Sequence, residues 1–155
     1  MTEQKKVAVA SDHGAFDLKS KIVSRLKSLG YEPVDMGTDG TESVDYPDYA
    51  AKVSEAVSSG EIERGILLCG TGIGMSITAN KFPGVRAALA YDGYTARMSR
   101  EHNNSNVLVL GGRTLGVRVA YDILETWLNT PFEGERHQRR LDKITNIEKQ
   151  MVEKK

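Results

Sequence analysis

The chain has 155 residues, enough for one domain to bury a core of ordinary size. Lysine and arginine together number 21, against 21 aspartates and glutamates, so no net charge draws the chain toward nucleic acid or an anionic membrane. A single cysteine excludes an internal disulfide and a multi-cysteine zinc site, and no run approaches the ~20 apolar residues of a membrane span.

The first apolar run, residues 7–10, is rich in valine and reads as a strand that ends at Ser11-Asp12-His13-Gly14. No long apolar segment precedes it, so no signal peptide is expected and a cytoplasmic setting fits. Phe16, Leu18, Ile22, Val23, Leu26 and Leu29 then follow helical spacing, with Gly30 as the stop. A second strand is predicted over 32–36, a polar loop over 37–48, and a helix opened by Pro47 with Ala50, Val53, Ala56 and Val57 inward. The third strand, 65–69, runs into a glycine-rich turn and a helix to about Lys81. Strands over 85–90 and 106–110 alternate with helices over 94–102 and 116–128, and a more polar helix closes the chain over 136–152. Five short, nearly all-apolar strands alternating with helices predict a three-layer α/β/α sandwich, Rossmann-like, around a five-stranded parallel sheet. No linker or repeat divides residues 1–155, which read as a single domain.

In such sheets ligands gather at the carboxyl ends of the strands. Asp12-His13, Cys69 to Gly74, Tyr91-Asp92 and Gly111-Gly112-Arg113 all follow strand ends directly, and are expected to line one cleft. The most informative stretch is Cys69-Gly70-Thr71-Gly72-Ile73-Gly74. A glycine turn at a helix start strings together backbone N–H groups that bind an anion, and a cysteine beside such donors is a candidate base or nucleophile. The same loop can also be only a tight turn, and a lone cysteine is often a small buried hydrophobe. It is neither a dinucleotide fingerprint, since Met75 stands where the last glycine belongs, nor a P-loop, since no Gly-Lys-Ser/Thr follows. A small phosphate or oxyanion suits it better.

His102 lies in the polar junction Arg100-Glu101-His102-Asn103-Asn104-Ser105-Asn106 and is either a solvated loop residue or a proton-transfer group. Asp12 can be the cap of the next helix, a site residue, or both. Arg136 and Arg140, four apart, share one helix face and can close on one phosphate; a solvated basic face is the plainer reading. The three histidines are scattered along the sequence and no carboxylate–histidine spacing suggests a metal, so none is expected.

Together these residues resemble the B-type ribose-5-phosphate isomerase family, which also holds galactose-6-phosphate and allose-6-phosphate isomerases. The resemblance spans nearly the whole chain: Ser11-Asp12-His13-Gly14, Asp45-Tyr46-Pro47, the Cys69 loop, Asn80-Lys81-Phe82-Pro83-Gly84-Val85-Arg86-Ala87, His102-Asn103-Asn104-Ser105-Asn106 and Gly134-Glu135-Arg136-His137-Gln138-Arg139-Arg140 occur in order. With Cys69 present and Met75 just past the loop, the chain is similar to the branch with a cysteine base rather than a glutamate.

The resemblance implies an aldose–ketose isomerase of the pentose phosphate pathway that moves a proton between C2 and C1 of ribose 5-phosphate through an enediolate. Cys69 is then the base, Thr71 holds or passes the hydroxyl proton, and the amides of Gly70, Gly72, Ile73 and Gly74 stabilise the enediolate. His102 is the acid that opens the furanose ring. Asp12 and His13 hold the open sugar with Asn103 beside them, Tyr46 lines the cleft, and Arg113, Arg136 and Arg140 bind phosphate. The last-helix arginines are expected to reach a neighbouring subunit's site in a homodimer, and dimers that pair into tetramers are compatible with this. No cofactor is expected. Six-carbon sugar phosphates remain the alternative substrates, and a silent sugar-phosphate binding module the alternative of another class. The latter has no need of Cys69, Thr71 and His102.

Overall fold

The computed structural model describes residues 3–154. Its centre is one parallel sheet of five strands, β1 Lys6–Ser11, β2 Glu32–Asp35, β3 Arg64–Cys69, β4 Ala87–Leu89 and β5 Val107–Gly111, in the order β2-β1-β3-β5-β4. Six helices connect and cover it: α1 Phe16–Ser28, α2 Tyr46–Ser58, α3 Ile73–Ala79, α4 Gly93–Glu101, α5 Val117–Asn129 and α6 Arg136–Glu153. A short 3-10 turn, His13–Ala15, leads into α1.

Alternation along the strands sorts the core into two halves. Val7, Val9, Ile66, Leu68, Leu108 and Leu110 pack with Leu18, Ile22 and Leu26 of α1 and with Ile123, Leu124 and Trp127 of α5. Ala8, Ala10, Leu67, Cys69, Val107 and Val109 face Ala50, Val53, Ala56 and Val57 of α2 and Met75 and Ala79 of α3. This is the three-layer α/β/α sandwich predicted. The central strands read as unbroken apolar runs because helices bury both of their faces.

The boundaries differ where local chemistry overrides the pattern. Helix α2 starts at Tyr46, so the polar loop ends at Asp45 and Pro47 sits within the first turn. Helix α3 stops at Ala79 rather than Lys81: the Asn80 side chain donates back to Ser76 O and across to Ala87 O, ending the helix and bracing the next strand. Strand β4 is only three residues, not 85–90, because Val85 N–H donates to Phe82 O in a turn around Gly84, where φ is +76°. Gly30, at φ +89°, stops α1 as expected.

Chain direction changes side between β1 and β3, since β2 lies outside β1 while β3 lies on its other flank. That switch point is where a crevice opens at the strand ends in sheets of this kind. One wall is braced by a buried lysine. Lys19 of α1 places its ammonium 2.8 Å from both oxygens of Asp35 and 2.7 Å from Thr38 O. With Ser11 N–H on Gly37 O at 2.6 Å, it pins the start of the 37–45 loop against the end of β1.

Candidate active site

At the β1/β3 crevice, Asp12 accepts the N–H of Gly14 at 2.9 Å and so caps the turn that points the chain into α1. Capping and a place in the cleft are compatible, as the sequence allowed. Next to it, His13 Nδ1 accepts the N–H of Val44 at 3.1 Å. That bond fixes the neutral tautomer with the ring proton on Nε2, leaving a donor for a ligand. Val44 is a site partner that the sequence did not disclose, because an amide donor in a polar loop carries no residue signature.

Cys69 ends β3, buried, and its Sγ accepts the N–H of Gly72 at 3.2 Å. That bond fixes the sulfur at the mouth of the glycine loop. Thr71 Oγ1 takes the N–H of Ile73 at 3.2 Å, while the amides of Gly74 and Met75 lie in the first turn of α3, which offers them no acceptor of its own. The loop has to be glycine. A Cβ on Gly72, at φ +82°, would lie 2.5 Å from Leu89 Cδ1, and one on Gly74 would lie 2.5 Å from the Tyr46 ring. Tyr46 therefore covers the loop from above, half exposed, as a cleft-lining residue.

Arg113 completes this group. Its backbone N–H donates to Gly70 O at 2.9 Å, and its guanidinium occupies the space beside Gly14 and Gly70, 3.4 Å from where a Cβ on either would be. Asp12, His13, Tyr46, the Cys69 loop and Arg113 thus meet in one place. Tyr91 and Asp92 do not add chemistry there: Asp92 accepts the N–H of Thr95 at 2.7 Å and closes a capping box at the start of α4, which holds its carboxyl below the usual range.

His102, Asn103, Arg136 and Arg140 lie elsewhere. His102 caps the carboxyl end of α4, which runs back from the end of β4, and Asn103 follows just before β5 begins at Val107. The partner of Cys69 in the sheet is Gly111, at the far end of β5. Four strand steps, about 13 Å at ~3.3 Å each, therefore separate the two ends. Within one chain the parallel topology places Asn103 at the opposite end of the strands from Asp12 and His13.

At that opposite end two of the three histidines come together. The rings of His102 and His137 stack with centroids 4.1 Å apart and planes 14° from parallel, and Glu133 Oε2 approaches His137 Nε2 at 3.4 Å. His102, Glu133 and His137 bring their ligand atoms within 4.8 Å of one another, a cluster the sequence reading missed. The Glu133-to-His137 spacing of four was its signal, hidden because the carboxylate precedes the helix. Stacked rings direct their in-plane lone pairs side by side rather than toward one point, so this geometry is poorly formed for an ion. Burial, then His102 and Arg136, hold the His137 pKa below the usual histidine value, with Glu133 opposing. Arg100, buried beneath them, is pushed down to about 10 by burial and by Arg64 and Arg86.

A Ribose/Galactose Isomerase family model matches residues 7–144. The chain belongs to the Ribose/Galactose Isomerase family. Ribose-5-phosphate isomerase B of Escherichia coli is 49% identical over 144 residues, covering 93% of this chain and 97% of that one. The solved structure of ribose-5-phosphate isomerase B from Clostridium thermocellum superposes with a TM-score of 0.93 at 55% identity, covering 94% of this chain and 99% of its own. A Mycoplasma genitalium ribose-5-phosphate isomerase B, solved with bound ribulose-5-phosphate, gives 0.91 at 40% identity over 96% of this chain and 99% of its own. Family membership fits the crevice at the β1/β3 switch point.

Proposed function

We propose that this protein interconverts D-ribose 5-phosphate and D-ribulose 5-phosphate, the aldose–ketose step of the pentose phosphate pathway, in the cytoplasm. The observation that carries the reading is Cys69 Sγ set against the glycine loop beside Asp12, His13, Thr71 and Arg113. The reaction needs a base that lifts the C2 proton of the open sugar and returns it to C1. It also needs donors that meet the enediolate oxygen. Cys69 supplies the base; the loop amides and Thr71 face the oxygens; His13 Nε2–H and Asp12 orient the hydroxyls; Arg113 takes the phosphate.

His102 opens the ring, with Asn103, Arg136 and Arg140 completing the sugar and phosphate contacts. Since these four lie across the sheet from Cys69, the reading requires a second copy of the chain to bring them to the cleft. Helix α6 supports that arrangement. It buries only His137 and Leu141, while Ile144, Ile147, Met151 and Val152 are each more than half exposed. Between α6 and the β4 edge lies a cavity of about 730 Å³, an apolar face that a homodimer would cover.

The test is conversion of ribose 5-phosphate by the purified protein in EDTA, wild type beside Cys69→Ala. Conversion by wild type and a loss of at least ~10²-fold in the variant establish a metal-independent isomerase with Cys69 in the chemistry. Turnover of allose or galactose 6-phosphate alone would reassign the substrate, and phosphate binding without any turnover would make the protein a binding module.

A further inference from the structure

His137 is the histidine for which the mechanism above has no use, yet it is the most deeply placed of the three. It is 3% exposed, and among the described residues its Nε2 has no well-directed hydrogen-bond partner, the approach of Glu133 being 3.4 Å. Its ring lies flat on that of His102. The surrounding backbone is built to hold the two rings together. Glu133 N–H donates to Glu101 O at 3.1 Å, and Arg100 Nε donates to Thr130 O at 3.2 Å, tying the segment before α6 to the end of α4. Arg100 Nη1 also donates to Asn104 Oδ1 and Ser105 O, at 2.9 and 2.6 Å, which fixes the chain just after His102. Two non-glycine residues adopt left-handed backbone beside the pair, Asn104 at φ +44° and Glu135 at φ +51°. Such conformations persist only where the surroundings over-determine them.

We propose that His137 is a positioning residue for His102: its buried ring, stacked face to face, fixes the plane from which His102 hands a proton to the closed sugar. His102 is half-buried at a helix end and, among the described residues, is otherwise held through its backbone, by its N–H on Met98 O. A misaligned acid loses its proton-transfer geometry even when chemically intact. The flat face of His137 supplies the alignment, and its nitrogens are secondary. This inference rests on the reading of His102 as the ring-opening acid.

The experiment compares two reactions of the intact enzyme. Conversion of ribose 5-phosphate needs ring opening. Deuterium incorporation at C1 of ribulose 5-phosphate does not, because its O5 carries phosphate and no five-membered ring can close. His137→Leu keeps an apolar filling without a flat face, and His137→Phe keeps the face without the nitrogens. In His137→Leu, ribose 5-phosphate conversion should fall about tenfold or more while C1 exchange stays within about twofold of wild type. His137→Phe should recover most of that loss. Should His137→Leu melt early, His137→Asn makes the same comparison with Phe. Unchanged conversion in Leu, parallel loss of both reactions, or no recovery in Phe each overturns the positioning role. His102→Asn separates this from the premise: intact conversion in that variant removes His102 from ring opening, whereas selective loss there with normal His137→Leu overturns the stacking alone.

Discussion

Cys69 ends β3, and Asp12 and Arg113 stand just past β1 and β5; in a parallel sheet the carboxyl end of a strand is already a location in space. Arg136 and Arg140 were legible as a shared helix face, and both stand exposed on α6, four residues apart. If they clamp phosphate in both ground and transition states, Arg140→Ala should raise KM for ribose 5-phosphate about tenfold and leave kcat within about twofold. Steady-state kinetics checks this, and an equal fall in kcat would move Arg140 into the chemistry. His137 was not legible. Inside Arg136-His137-Gln138-Arg139-Arg140 it reads as part of a solvated basic face, and only the turn at Gly134 and Glu135 rotates it inward against His102.

Among the elements, the glycine loop between β3 and α3 bears the tightest constraints. Gly72 combines a left-handed backbone with a Cβ position 2.5 Å from Leu89 and 3.3 Å from the Leu110 backbone, and its N–H is the donor to Cys69. Gly72→Ala should therefore destabilise the protein by about 3 kcal/mol, backbone strain and overpacking together, and depress kcat as the strained loop shifts its N–H away from the sulfur. Urea unfolding and the ribose 5-phosphate assay measure the two effects separately; an unchanged midpoint would show that the loop relaxes freely. Hydrophobic periodicity placed all five strands and six helices because both sheet faces are covered. It failed at the ends of α3 and β4, where Asn80 and Gly84 set the boundary through hydrogen bonds and backbone conformation rather than hydropathy. It was also silent on Lys19, a charge inside an amphipathic helix whose partner Asp35 comes from a separate strand.

At the scale of the molecule, composition said little about assembly. In the sequence α6 reads only as a more polar helix, and only the fold shows how few of its apolar residues it buries. The same helix gives the stability a pH dependence. His137 titrates below its usual value in the folded state, so the unfolded chain takes up the proton first as pH falls through ~6.5. This group's contribution is therefore intact above that value and is lost progressively below it, toward the folded pKa. Melting temperature should decline between pH 7 and 5.5, and less steeply in His137→Phe, which has no proton to gain. Identical slopes for the two proteins would assign the acid sensitivity to other groups.

The separation of Cys69 and His102 across the sheet has a genetic corollary. If each cleft takes its base from one subunit and its ring-opening acid from another, two dead enzymes can repair each other. Cys69→Ala and His102→Asn proteins, unfolded and refolded together, would form mixed dimers in which one cleft inherits both defects and the other neither. Random two-fold pairing makes half of the dimers mixed, so about a quarter of all clefts should be restored. A carrier of both lesions in one chain, mixed with either parent, would restore none.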